Sequence, residues 1–125
     1  MTSRFTLKIV TDFASAHTLN GYPGDCSRMH GHNWKVEVEA VATALDNIGM
    51  GIDFKHMKQA AKEVVQELDH RYLNDLYPFK EINPTAENIA AYLFKEISQR
   101  LNRDTVTVSA ITLWETERAS VRYEE

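Results

Sequence analysis

Residues 33–42, NWKVEVEAVA, alternate without a break, with Trp34, Val36, Val38 and Ala40 on one side and Lys35, Glu37 and Glu39 on the other. A repeat of two is that of an extended strand, so this stretch belongs in a sheet with one face on a core and the other wet or interfacial. Residues 5–11, FTLKIVT, have the same period, Phe5, Leu7 and Ile9 opposing Thr6, Lys8 and Val10. Two more strands are expected at 105–115 and 119–124, joined by a short polar link.

Between these pairs the repeat becomes helical. After a turn at Gly49 and Gly51, Asp53 is the expected N-cap of a helix running to about Leu68, with Phe54, Met57, Ala61, Val64, Val65 and Leu68 as its apolar stripe. A second helix is expected to start near NPTAEN, where Pro84 and Thr85 suit a first turn, and to bury Ile89, Leu93, Phe94, Ile97 and Leu101. The order β-β-α-α-β-β predicts one α+β domain over residues 1–125, a four-stranded antiparallel sheet with two helices on one face. The other face and the edges still need cover or charge, and oligomerisation is one way to supply cover.

Composition removes several function classes. A net charge of −4 without a Lys/Arg cluster offers no footprint for nucleic acid. No apolar stretch approaches the roughly 20 residues of a membrane span, and MTSRFTLKIVTDF reads as a strand entry rather than a signal peptide. A single cysteine cannot form an internal disulfide, which fits a reducing compartment and a cytoplasmic location.

The chemistry concentrates in DCSRMHGHNW, residues 25–34. In extended chain, His30 and His32 point to the same side, and Gly31 between them lets backbone approach closely. If the first two strands pair as a hairpin, residues 12–17 and 30–34 share an end, and His17 becomes available as a third imidazole. Three neutral imidazoles leave one position of a tetrahedral zinc open, the pattern of a catalytic site. The competing reading is a loop with two exposed histidines. Cys26 is either a small buried loop residue or a thiol beside a metal-bound substrate.

Asp69-His70, after the first helix, is either a carboxylate–imidazole pair for proton transfer or a helix C-terminus with histidine placed for the dipole. Glu115, at the end of the third strand, either faces solvent or accepts two parallel N–H bonds from a planar guanidine-like heterocycle, with Glu117 as the competing residue. His56 reads as a polar-face residue of the first helix.

Taken together, FASAHTL (13–19), CSRMHGHNW (26–34), GIDF (51–54), LDHRYLN (68–74), NPTAEN (83–88) and WET (114–116) resemble the 6-pyruvoyl-tetrahydropterin synthase family, in their order and over nearly the whole chain. The three residues between Cys26 and the HGH motif resemble its 6-carboxy-5,6,7,8-tetrahydropterin synthase branch. The resemblance implies the tunnelling fold, assembled into homo-oligomeric barrels with active sites at subunit interfaces. It implies Zn2+ held by His17, His30 and His32, and Cys26 as catalytic base or nucleophile with Asp69 and His70 as acid–base partners. Glu115 would anchor the pterin ring and Thr85 would help to bind it. The implied substrate is the small molecule 7,8-dihydroneopterin triphosphate. It would lose triphosphate and acetaldehyde to give 6-carboxytetrahydropterin, an early step toward queuosine and related deazapurines. Lys35, Arg71 and Arg118 are basic candidates for the triphosphate.

Overall fold

The two alternating stretches near the N-terminus pair with each other, as their common period requires. In the computed structural model, which describes residues 3–125, β1 (Phe5–His17) and β2 (His30–Ala42) form an antiparallel ladder from Phe5↔Ala42 to His17↔His30 without a register shift. Both strands are longer than their hydrophobic alternation. β1 continues through ASAH and β2 begins at HGH, because each supplies the other's backbone partners where neither has a strong strand preference of its own.

Two helices follow the hairpin, α1 (Phe54–Val65) and α2 (Ala86–Leu101), with a short strand β3 (Arg71–Tyr72) between them, then β4 (Val106–Thr116) and β5 (Ala119–Glu124). The sheet order is β3-β1-β2-β4-β5. It therefore has five strands where four antiparallel ones are expected from the sequence, and the extra one lies parallel to β1 through Ser15↔Arg71 and Ala16↔Tyr72. Two residues are too few to carry a hydrophobic period. Within one chain the sheet is open and does not close into a barrel.

Helices and strands bury one common core. Asp53 caps α1 by accepting from the Lys55 N–H, and Met57, Ala61, Val64, Val65 and Leu68 are buried as their spacing predicts. Phe54 is not; in the first turn it stays half exposed beside Phe5, Leu7 and Leu45 in a surface hollow. The expected α2 stripe is buried throughout, in one core with Val36, Val38, Ile111 and Leu113 among others. Gly51 makes the close approach after β2 possible, since a Cβ there would lie 2.5 Å from the Ala42 Cβ.

One irregularity in the sheet decides the direction of Glu115. The register of β4 on β2 shifts between Glu39 and Ala40, so Val106 and Val108 face the core before the shift and Ile111 and Leu113 after it. That extra residue switches parity and puts Glu115 on the core face instead of the open one. The open face is polar. Trp114 donates its indole N–H to Glu37 at 2.9 Å, Lys35 lies over the Trp114 ring, and Arg122 pairs with Glu39. No helix among the described residues is long and apolar enough to cross a membrane.

Candidate metal centre and adjoining cleft

The hairpin register decides where the histidines go. His17 is opposite His30, and Ser15 is opposite His32, so the three imidazoles leave the core face at one end of the ladder, past Phe13 and Trp34. Glu115 arrives on the same face from β4, one strand over. One ligand atom from each of His17, His30, His32 and Glu115 lies within 4.8 Å of all the others.

Two of the rings are arranged to offer Nε2. His17 Nδ1 lies 2.7 Å from the Pro84 carbonyl, and His30 Nδ1 lies 2.8 Å from the Arg28 carbonyl. A carbonyl can only accept, so Nδ1 carries the proton and the Nε2 lone pair is bare. The Nε2 atoms of all three histidines are buried without a hydrogen-bond partner. Glu115 Oε1 is 2.9 Å from His32 Nε2 and 3.8 Å from His17 Nε2, near them but outside hydrogen-bond alignment.

Burial holds the His17 imidazole below its ordinary pKa, and the neighbouring His30 and His32 push it the same way; the Pro84 carbonyl and Glu115 oppose them. His32 is lowered for the same leading reason, with Glu115 opposing. Neutral imidazole is the ligating form. Three buried, unpartnered imidazole nitrogens beside a carboxylate fit a transition-metal ion, and their chemistry suits zinc.

The Asp69-His70 pair lies beyond the end of α1. Asp69 accepts the Ala14 N–H at 2.9 Å, and His70 Nδ1 approaches the other Asp69 oxygen to 2.9 Å. His70 adopts a left-handed backbone, φ 58°, uncommon for a residue with a side chain, and its own N–H is bound to the Ala14 carbonyl. The Ala14 N–H, and after it the histidine, hold the Asp69 carboxyl below its usual range. The adjacent side chains therefore converge instead of pointing apart.

An open cleft of about 740 Å3 is lined by Asp69, His70, Lys35, Glu115 and Glu117, among others. Glu115 thus belongs both to the histidine cluster and to this cleft. The structure brings together His17, His30, His32 and Glu115, and separately Asp69 and His70 with Glu115. Cys26 joins neither group; it is half-buried in a single 3-10 turn, Asp25–Ser27. Of the basic candidates Lys35 lines the cleft, whereas Arg71 and Arg118 do not. His56 is exposed on α1.

NPTAEN resolves into separate tasks. Pro84 supplies the carbonyl that orients His17, Thr85 caps α2 by accepting the Asn88 N–H at 3.1 Å, and the Asn88 amide donates to the Asn83 carbonyl. The Thr85 hydroxyl oxygen is therefore occupied as a cap, with its O–H left to donate. The role of Pro84 escapes sequence reasoning because it uses only the backbone.

Comparison with known proteins agrees with this fold. Residues 6–125 match the profile of the family described as 6-pyruvoyl tetrahydropterin synthase. A 6-carboxy-5,6,7,8-tetrahydropterin synthase of Rickettsia typhi is 31% identical over 88% of this chain and 93% of its own. A protein of Archaeoglobus fulgidus, provisionally given the same name, is 37% identical over 80% of this chain and 82% of its own. Among solved structures, the 6-pyruvoyl tetrahydropterin synthase of Caenorhabditis elegans superposes with a TM-score of 0.88 at 26% identity, covering 99% of this chain and 97% of that one.

Proposed function

The chain belongs to the 6-pyruvoyl tetrahydropterin synthase family of enzymes, and from that premise we propose that it is a zinc-dependent lyase. Its substrate is 7,8-dihydroneopterin triphosphate. With uptake of water this is converted to 6-carboxy-5,6,7,8-tetrahydropterin, acetaldehyde and triphosphate, a step toward queuosine and related deazapurines. The observation that carries the reading is the convergence of three buried, unpartnered Nε2 atoms within 4.8 Å of each other and of Glu115, which also lines an open cleft.

His17, His30 and His32 would hold zinc, which supplies Lewis acidity toward the oxygens of the substrate side chain. Cys26 takes a proton from the carbon next to those oxygens. His70, its Nδ1 side engaged by Asp69, exchanges protons through its other ring nitrogen as triphosphate leaves and the carbon–carbon bond breaks. With His32 Nε2 engaged in the centre, the Glu115 carboxylate is released to accept two N–H bonds from the pterin ring, and the Thr85 O–H contributes a further contact. The ring is thereby fixed while its side chain reaches the reacting groups. The reading takes the protein as a cytoplasmic homo-oligomer whose sites lie at subunit interfaces. Cys26 standing apart from Asp69 and His70 within one chain is consistent with it.

The test is product analysis by mass spectrometry after mixing zinc-loaded protein with 7,8-dihydroneopterin triphosphate. Carboxytetrahydropterin with acetaldehyde supports the lyase. Triphosphate without acetaldehyde assigns the pyruvoyl-forming reaction instead, and binding without consumption leaves a pterin-binding module.

A further inference from the structure

We propose that Asn74 and Asn83 are positioning residues that fix the direction of the Cys26 turn relative to His17 through the three residues Thr18, Leu19 and Asn20. The inference rests on the proposed lyase function, in which Cys26 moves a proton. Asn74 Oδ1 accepts the Thr18 N–H at 2.8 Å, while its Nδ2 donates to the Thr18 carbonyl at 2.9 Å. Asn83 treats Asn20 identically, accepting its N–H at 2.9 Å and donating to its carbonyl at 2.8 Å. Each side-chain amide thus pairs both backbone groups of one residue, as a neighbouring strand does.

Just beyond β1, the backbone groups of residues 18 and 20 are taken by the two side-chain amides, and those of Leu19 between them are not. With both outer residues gripped, the Leu19 N–H is fixed in direction, and it donates to the Cys26 carbonyl at 3.0 Å. Among the described residues, the other hydrogen bonds of the loop leading to Cys26 are local, from Tyr22 to Leu19 and from Ser27 to Gly24. The bond from Leu19 is therefore the turn's tie to the rest of the fold.

Both clamps are themselves anchored. The Asn83 carbonyl accepts from Asn88 in the first turn of α2, and Asn74 sits in the 3-10 turn Leu73–Asp75, whose Leu73 is fully buried. The Tyr72 hydroxyl adds a bond to the Thr18 hydroxyl at 2.7 Å. The gripped segment begins at the residue after His17, so one rigid piece carries a metal ligand at one end and orients the cysteine turn at its middle.

The test compares wild type with Asn83→Ala, Asn74→Ala and the partial Asn83→Asp, which keeps an acceptor for the Asn20 N–H and loses the donor. Zinc content, Tm, kcat, KM and the rate of alkylation by iodoacetamide are measured. Cys26 is the chain's one cysteine, so alkylation reports on it alone. The alanine variants are expected to keep zinc and to lose about ten- to a hundredfold in kcat with KM little changed, as misplacement of a reacting group does. Alkylation of Cys26 is expected to accelerate several-fold, about three- to tenfold, as the turn loosens, with Asn83→Asp between the extremes. Zinc-loaded variants that alkylate at the wild-type rate and keep wild-type kcat overturn the proposal, even if Tm falls. Should Asn74→Ala fail to fold, the Asn83 pair decides. A wild-type protein that consumes no pterin triphosphate overturns the reading of function, and the alkylation rates still decide the clamps.

Discussion

Glu115 on β4 holds a carboxylate oxygen 2.9 Å from Nε2 of His32 on the adjacent strand, joining the histidine cluster to the cleft that Asp69 and His70 line. Two roles are open to such a carboxylate, ring anchor and fourth ligand, and one variant separates them. Glu115→Gln is expected to retain zinc at wild-type stoichiometry while kcat/KM falls by about ten- to a hundredfold, the worth of a charge-assisted hydrogen-bond pair. Metal analysis beside steady-state kinetics reads both. Loss of zinc would make Glu115 a ligand.

His17→Ala is expected to abolish stoichiometric zinc binding. It should also destabilise the metal-free protein by about 1–3 kcal/mol, because the Pro84 carbonyl loses its donor in a buried setting. Denaturant unfolding with and without zinc checks both parts. His30→Ala, whose Nδ1 partner Arg28 is exposed, should lose zinc with less effect on the metal-free protein.

Asp69 predicts an acid limb in stability. Its carboxyl is held below the ordinary value when folded, so on acidification the unfolded chain takes up this proton first. The resulting stabilisation is complete above the unfolded pKa of about 3.9 and is lost as pH falls through the folded value. The stability difference between wild type and Asp69→Asn should be constant above about pH 5 and shrink below about pH 4. Denaturant midpoints across that range measure it, and a difference that stays flat in acid contradicts the assignment.

Gly51→Ala is expected to cost about 1–3 kcal/mol through overpacking against Ala42. Gly49→Ala, at φ +85° with open space around it, should cost about 1–2 kcal/mol through backbone strain alone. Thermal unfolding of the two variants distinguishes a clash from a conformational penalty, since only the first should be relieved by a second change at Ala42→Gly.

The hairpin and its three histidines were legible because one rule, the two-residue period, governs both the buried face of NWKVEVEAVA and the direction of His30 and His32. His17 followed from pairing geometry. The short strand Arg71–Tyr72 was not legible, since two residues show no period, and neither was the bulge that turns Glu115 toward the core. Pro84, Asn74 and Asn83 act through backbone groups distant in the chain, which no local pattern encodes. The convergence of Asp69 and His70 depends on a left-handed histidine that only the Ala14 hydrogen bonds explain.

The ladder between β1 and β2 closes on the pair His17↔His30, so the distance between those two rings is independent of how much chain connects them. Doubling a loop's length costs only about 0.6 kcal/mol in closure entropy. The stretch between the clamped residues 18–20 and Arg28, whose carbonyl orients His30, can therefore change in length while the strand pairing beneath the cage stays put. A change of length there alters what the loop presents to the cleft side without touching the register that places His17 opposite His30.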